Sequence, residues 1–205
     1  MKHLGDITQI RGSGIDAVSE KKIILDLCGG SGSWSRPYVE GGYDVRNITL
    51  PDYDVLTYDP PQKVHGILAA PPCTEFSVLN CKAEARARNP EEGLKVVMAC
   101  LRIIEKCSPK WWAMENPVGY LREYMGPSIM IFQPWEYGDP WTKRTELWGT
   151  FTPPKKLYER WEDVPDKLPL YTRPGALCGR LLNLNVIAMD LKLISRHTKM
   201  QKKKC

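Results

Sequence analysis

A chain of 205 residues, 42% of them hydrophobic, has material for one well-buried core and little for a second domain. Its formal charge of +5 is modest, and part of the excess sits in Lys199, Lys202, Lys203 and Lys204, which fits either a polyanionic partner or a solvated tail. Seven cysteines without a Cys-x-x-Cys pair, and three histidines (His3, His65, His197) without ligand spacing, argue against a metal site and a disulfide framework, while no apolar run approaches the ~20 residues of a membrane span and Met1-Lys2-His3-Leu4-Gly5-Asp6 lacks a signal-peptide core; the expected compartment is the cytoplasm.

After a polar leader, Lys22-Ile23-Ile24-Leu25-Asp26-Leu27 reads as a buried strand ending in an acid. The Gly/Ser loop Cys28-Gly29-Gly30-Ser31-Gly32-Ser33 follows, then a helix from Trp34 to about Glu40, stopped by Gly41-Gly42. Tyr43 to Leu50 alternates as a second strand, completing the β-loop-α-β order of a doubly wound sheet. A short segment around Asp54-Val55-Leu56 precedes the strand Gly66 to Ala70, which Pro71-Pro72 must end. Thr74 to Asn89 is a polar, basic loop containing Lys82, Arg86 and Arg88. Asn89-Pro90-Glu91-Glu92 has the N-cap, proline and acids of a helix start. Leu94, Val97, Met98, Leu101 and Ile104 then repeat at helical spacing. Lys110 to Pro117, Ile129 to Phe132 and Glu146 to Phe151 read as further strands, with Tyr137-Gly138-Asp139-Pro140 turning between the last two. Beyond Thr152, Pro153, Pro154, Pro165, Pro169 and Pro174 predict an irregular segment, and Leu177 to about Ile194 a closing helix.

Chemistry in an α/β sheet gathers outside the carboxyl ends of its strands. Cys73 is delivered there on a proline-stiffened loop, as a nucleophile or as an inert structural thiol. Glu115 ends an apolar strand, where partial burial would favour its protonated form and suit proton donation. Asn116 has a competing role as the N-cap of a helix begun by Pro117. The glycine loop lacks the third glycine of Gly-x-Gly-x-x-Gly, with Ser35 in its place, and there is no Gly-Lys-Ser/Thr, which lowers NAD and ATP in rank. An acid at Asp26 before Gly-Gly-Ser-Gly suits a cofactor with a cationic amino-acid moiety and a ribose.

In this order the motifs resemble the cytosine-C5 DNA methyltransferase family, in particular its small phage and prophage versions. Asp26 to Gly32 is similar to its cofactor motif, Pro71-Pro72-Cys73 to its nucleophile motif, and Glu115-Asn116-Pro117 to its Glu-Asn-Val motif. Tyr137 to Pro140, running into Trp141-Thr142-Lys143-Arg144-Thr145, is similar to the motif where Gln-x-Arg-x-Arg is usual. The resemblance implies a Rossmann-like S-adenosylmethionine-dependent α/β sheet with helices on both faces. It implies that the Cys73 thiolate adds to C6 of a flipped-out cytosine while Glu115 protonates N3, with Pro72, Asn116 and Lys143 or Arg144 assisting. It places the cofactor on Asp26, Leu27, Cys28, Gly29, Gly30, Ser31, Gly32, Ser33, Trp34, Asn47, Asp54, Val55 and Pro71.

Three departures matter. The strand expected to offer an acid to the ribose runs Arg46-Asn47-Ile48-Thr49, leaving Asn47 or Thr49 for that task. Trp141, Lys143 and Thr145 stand where Gln, Arg and Arg are usual. Few residues follow Phe151, and the family's C-terminal Asn-containing motif is not found, so low sequence specificity, or recognition by a partner or second subunit, is expected. The expected division is a leader over 1–20, a catalytic domain over 21–151, a reduced recognition region over 152–195 and a basic tail over 196–205. The expected partner is DNA; an inactive nucleic-acid-binding relative, or an enzyme acting on RNA or a free nucleotide, is the alternative.

Overall fold

The computed structural model describes residues 20–77 and 89–165. Strand β1 (Ile23–Leu27) leads through a turn to the short helix α1 (Arg36–Glu40) and strand β2 (Asp44–Ile48). Strand β3 (Gly66–Ala69), helix α2 (Pro90–Cys107) and strand β4 (Trp111–Pro117) follow. Helix α3 (Leu121–Met125), strand β5 (Met130–Phe132), a 3-10 turn (Pro134–Tyr137) and strand β6 (Thr145–Thr150) complete the sheet, and a second 3-10 turn spans Trp161–Asp163. The expected leader, the basic loop with Lys82, Arg86 and Arg88, the closing helix and the basic tail lie outside the described residues, apart from their margins.

The six strands lie in the order β2-β1-β3-β4-β6-β5. Strands β1 to β4 are parallel, so their carboxyl ends share one edge. Strand β6 is antiparallel to both β4 and β5, so its first residues reach that same edge. This inserted reversed strand is the main difference from the plain doubly wound sheet read from the sequence, because periodicity carries no strand direction.

Alternation along the strands serves two cores. Leu25, Leu27, Ile67, Ala69 and Met114 pack with Val97, Cys100, Ile103 and Cys107 of α2. Ile24, Leu68, Ala113 and Leu147 pack on the other face with Trp34, Tyr38 and Tyr137. Helical elements thus cover both faces of the sheet, the arrangement of an open α/β fold. Helix α2 starts where the sequence predicts: the Asn89 side chain accepts from Glu92 N at 3.4 Å, with Pro90 and two acids in the first turn.

Two sequence expectations need correction. Pro117 does not begin a helix: β4 continues through it, Pro117 facing Thr145 of β6, and α3 starts only at Leu121. Proline is tolerated at this strand end because its missing N–H costs least where the ladder stops. Helix α1 begins at Arg36 rather than Trp34, since Trp34 and Ser35 belong to the preceding turn.

Candidate active site

The first visit of the chain to the carboxyl edge is the turn after β1. Cys28 N donates to Ile48 O (2.8 Å), Gly32 N to Gly29 O (2.9 Å), and Asn47 Nδ2 to Gly30 O (2.9 Å), so the loop is stitched to the end of β2. Asn47, expected to serve a ribose, spends its amide donor on this loop, while its Oδ1 is buried without a hydrogen-bond partner. Asp26 lies directly under the loop. A Cβ on Gly29 would fall 2.3 Å from the Asp26 carboxyl carbon, so only glycine lets the backbone pass so close.

Asp26 is fully buried and neither carboxyl oxygen has a well-formed hydrogen bond. Burial pushes its pKa up to about 6, only partly offset by the nearby Ser35 hydroxyl, which donates to Gly32 O at 3.2 Å. An uncompensated acid under a glycine-lined turn fits a ligand that brings positive charge to that turn. Cys28 has a left-handed backbone (φ 58°), and a hydrogen bond from the Cys100 thiol of α2 holds its own thiol below the ordinary range. Its sulfur therefore faces α2. Gly30 and Ser31 are exposed, and Gly32 and Ser33 partly so, with Ser31 and Ser33 hydroxyls 2.8 Å apart. Leu27, Trp34 and Val55 are core side chains, and the Asp54 carboxylate accepts from Leu56 N at 2.9 Å.

The second visit is the turn after β3. Ala70 N donates to Leu27 O (2.9 Å), which carries the β1–β3 pairing one residue beyond the strand. Pro71 is buried, Pro72 exposed and Cys73 partly exposed, its sulfur in no disulfide. The Cys73 carbonyl accepts from Phe76 N (3.0 Å) and Ser77 N (2.9 Å), making a tight turn.

The third visit is the end of β4. Asn116 is fully buried, and its Nδ2 donates to Pro71 O at 3.0 Å. Asn116 makes that bond rather than a helix cap, and it ties the Cys73 turn to the strand that carries Glu115. Glu115 is 8% exposed and pairs with Lys143 Nζ at 3.5 Å. Lys143 arrives from the turn before β6, where its own N–H donates to Gln133 Oε1 (2.9 Å). Arg144 is exposed, and its carbonyl accepts from Val118 N. Asp139, in the same turn, is buried, and that burial alone pushes its carboxyl up to about 7.

Gln133 and Asp139 were not singled out from the sequence. For Gln133 the signal existed: Gln133-Pro134-Trp135-Glu136 is a capping-box pattern directly after an apolar run, and both reciprocal bonds form. Among the described residues no group of three or more His, Cys, Asp or Glu could hold a metal ion, and no helix is long and apolar enough to cross a membrane.

Taken along the edge, neighbouring strands present the glycine loop (β1), the thiol (β3), the acid with its buried amide (β4) and the lysine (β6). The chain reverses its strand order between β1 and β3, the switch point where such sheets open a ligand crevice. The class so defined is an α/β protein with a mostly parallel open sheet and its candidate site at the carboxyl edge. Residues 43–129 match the model of the C-5 cytosine-specific DNA methylase family, a stretch that includes Cys73, Glu115 and Asn116.

Solved structures with similar folds include a DNA modification methyltransferase encoded within a prophage of E. coli, at 16% identity and a TM-score of 0.49, covering 63% of this chain and 46% of that one. The Entamoeba histolytica methyltransferase EhMeth is similar at 14% identity and a TM-score of 0.43, covering 65% of this chain and 54% of that one. The chain thus spans about half the length of these proteins. No curated protein matches it in sequence.

Proposed function

We propose that the chain transfers a methyl group from S-adenosylmethionine to C5 of cytosine in DNA, through a covalent adduct between Cys73 and C6. The observation that carries this reading is the Asn116–Pro71 bond, which fixes the Cys73 turn beside the strand end bearing Glu115. A pyrimidine needs both groups at once. Its C5 is a poor nucleophile until a thiolate adds at C6 and the ring takes a proton at N3.

S-adenosylmethionine, when bound on the turn between Cys28 and Ser33 above Asp26, supplies an electrophilic methyl group on a sulfonium. The rest falls to protein residues. The Cys73 thiolate forms the S–C6 bond, the C5=C6 pair shifts into C4–C5, and the C4=N3 pair moves onto N3, where it takes the Glu115 proton. As C5 takes the methyl group, Glu115 recovers the N3 proton; loss of the C5 proton to a base then leaves the pair that re-forms C5=C6 and expels Cys73 as thiolate. Lys143 pairs with the Glu115 carboxylate at 3.5 Å in the resting state and is freed to meet the base when that carboxylate takes up a proton. Exposed Arg144 suits a phosphate contact. Because the reacting atoms of a stacked cytosine are inaccessible to a thiol on a sheet edge, the base must leave its helix.

The test is mechanism-based trapping. A 5-fluorocytosine DNA incubated with the protein and S-adenosylmethionine should give a covalent complex stable to denaturation, since fluorine cannot leave as the C5 proton does. The Cys73→Ala variant should give none. A complex that survives this substitution would exclude Cys73 as nucleophile, and competition among DNA, RNA and dCMP identifies the acceptor.

A further inference from the structure

We propose that Glu75 is a positioning residue for Cys73, clasping the N-terminus of α2 and thereby fixing the turn that carries the nucleophile. The proposal deepens the catalytic reading above and rests on it. Glu75 stands two residues beyond Cys73 and is 8% exposed. Its Oε2 accepts a short hydrogen bond, 2.6 Å, from the backbone N–H of Asn89, fourteen positions away in sequence.

This bond replaces a local one. Asn89 is the N-cap of α2 and Glu92 is the third residue of that helix, so the usual reciprocal cap would have Glu92 reach back to the Asn89 N–H. Glu92 instead pairs with Lys95 at 2.6 Å on the exposed side, and the N-cap amide goes to Glu75. Asn89 still caps the helix through its side chain, but the other half of the capping box is closed from the nucleophile turn rather than by Glu92. The arrangement adds little to α2 that Glu92 could not give, but it attaches the turn to the longest described helix.

Packing at the same place supports the clasp. A Cβ on Gly93, in the first turn of α2, would meet the Phe76 ring at 2.7 Å and Glu75 Cβ at 3.1 Å, so helix and turn are in close contact. The other side of the turn is held as well: Phe76 is fully buried, and its carbonyl accepts from Tyr120 N at 2.8 Å. The Phe76 and Ser77 amides that bind the Cys73 carbonyl therefore sit between two anchors, α2 through Glu75 and the β4–α3 connection through Tyr120. A carboxylate on a free amide of a helix N-terminus also gains from the helix dipole.

Two variants and two readouts test the role. In Glu75→Ala, hydrogen exchange at the Asn89, Phe76 and Ser77 amides should accelerate at least about tenfold, and the rate of 5-fluorocytosine adduct formation at saturating DNA and cofactor should fall by about ten- to a hundredfold, the scale of a misplaced reacting group. DNA affinity should change less than about twofold. Glu75→Gln, which keeps an acceptor for Asn89 N–H, should recover most of both rates. Unchanged exchange in Glu75→Ala overturns the clasp, and loosened amides with a wild-type adduct rate overturn the positioning role. Failure of Glu75→Gln to recover the adduct rate while it recovers exchange protection would also overturn it, by pointing to the charge instead. A wild-type protein that forms no adduct defeats the catalytic reading, and the positioning role with it, whereas the exchange result is read independently of chemistry.

Discussion

At the scale of single residues, Gln133 shows how one side chain can set another's chemistry. Its Oε1 accepts from Lys143 N, its own N–H donates to Glu136 Oε2 at 2.6 Å, and Lys143 in turn pairs with Glu115. Gln133→Ala removes an acceptor for the Lys143 amide and half of the capping box, a loss of about 1–2 kcal/mol in urea unfolding. Its more telling effect is expected on kcat, which should fall while affinity for S-adenosylmethionine, proposed above to bind on the glycine turn at β1, stays within about twofold. Measuring both in one preparation separates the two effects. The sequence put Cys73 and Glu115 at strand ends, because apolar runs and prolines leave a visible trace, whereas Lys143 or Arg144 came only from the resemblance to a family motif. It could not show that Asn116 reaches back to Pro71 or that Asn47 is spent on Gly30, since both bonds depend on which strands are neighbours.

At the scale of elements, the apolar runs and cap residues located β1 to β6 and α2 within a residue or two, because burial and capping are local demands that the chain must meet in its own spelling. Strand direction was not legible. The placement of β6 between β4 and β5 instead depends on Gly149, whose backbone (φ +150°) is closed to ordinary side chains and whose added Cβ would lie 2.1 Å from Trp112 O in β4. No sequence pattern distinguishes such a glycine from one in a turn. Gly149→Ala should therefore lower the unfolding free energy by about 3 kcal/mol, near the upper end for single substitutions. Circular dichroism melts would show it. The adduct rate should fall as well, because β6 delivers Lys143 to the site; a stable protein with normal trapping would mean that β6 tolerates a shift at this point.

At the scale of the whole molecule, the carboxyl edge of the sheet is where stability is given up for function. Asp26 and Asp139 lie at that edge, both buried, with pKa values raised to about 6 and about 7 from an ordinary 3.8. Between about pH 4 and pH 7 the native protein therefore holds more protons than the unfolded chain, and these two groups make stability fall as pH rises through that window. For Asp26 the full cost above pH 7 is about 3 kcal/mol. Asp26→Asn should accordingly raise the urea midpoint at pH 8, and the gain should nearly vanish by about pH 4, where the native carboxyl is already neutral. The same variant keeps the loop's shape but removes the negative charge beneath it, so S-adenosylmethionine, with its sulfonium and ammonium, should bind more weakly at pH 8 by isothermal titration calorimetry. A variant that is no more stable at pH 8 would show that the acid finds a partner in solution. A stabilised variant with unchanged cofactor affinity would mean that the charge under the glycine loop serves something other than the ligand above it.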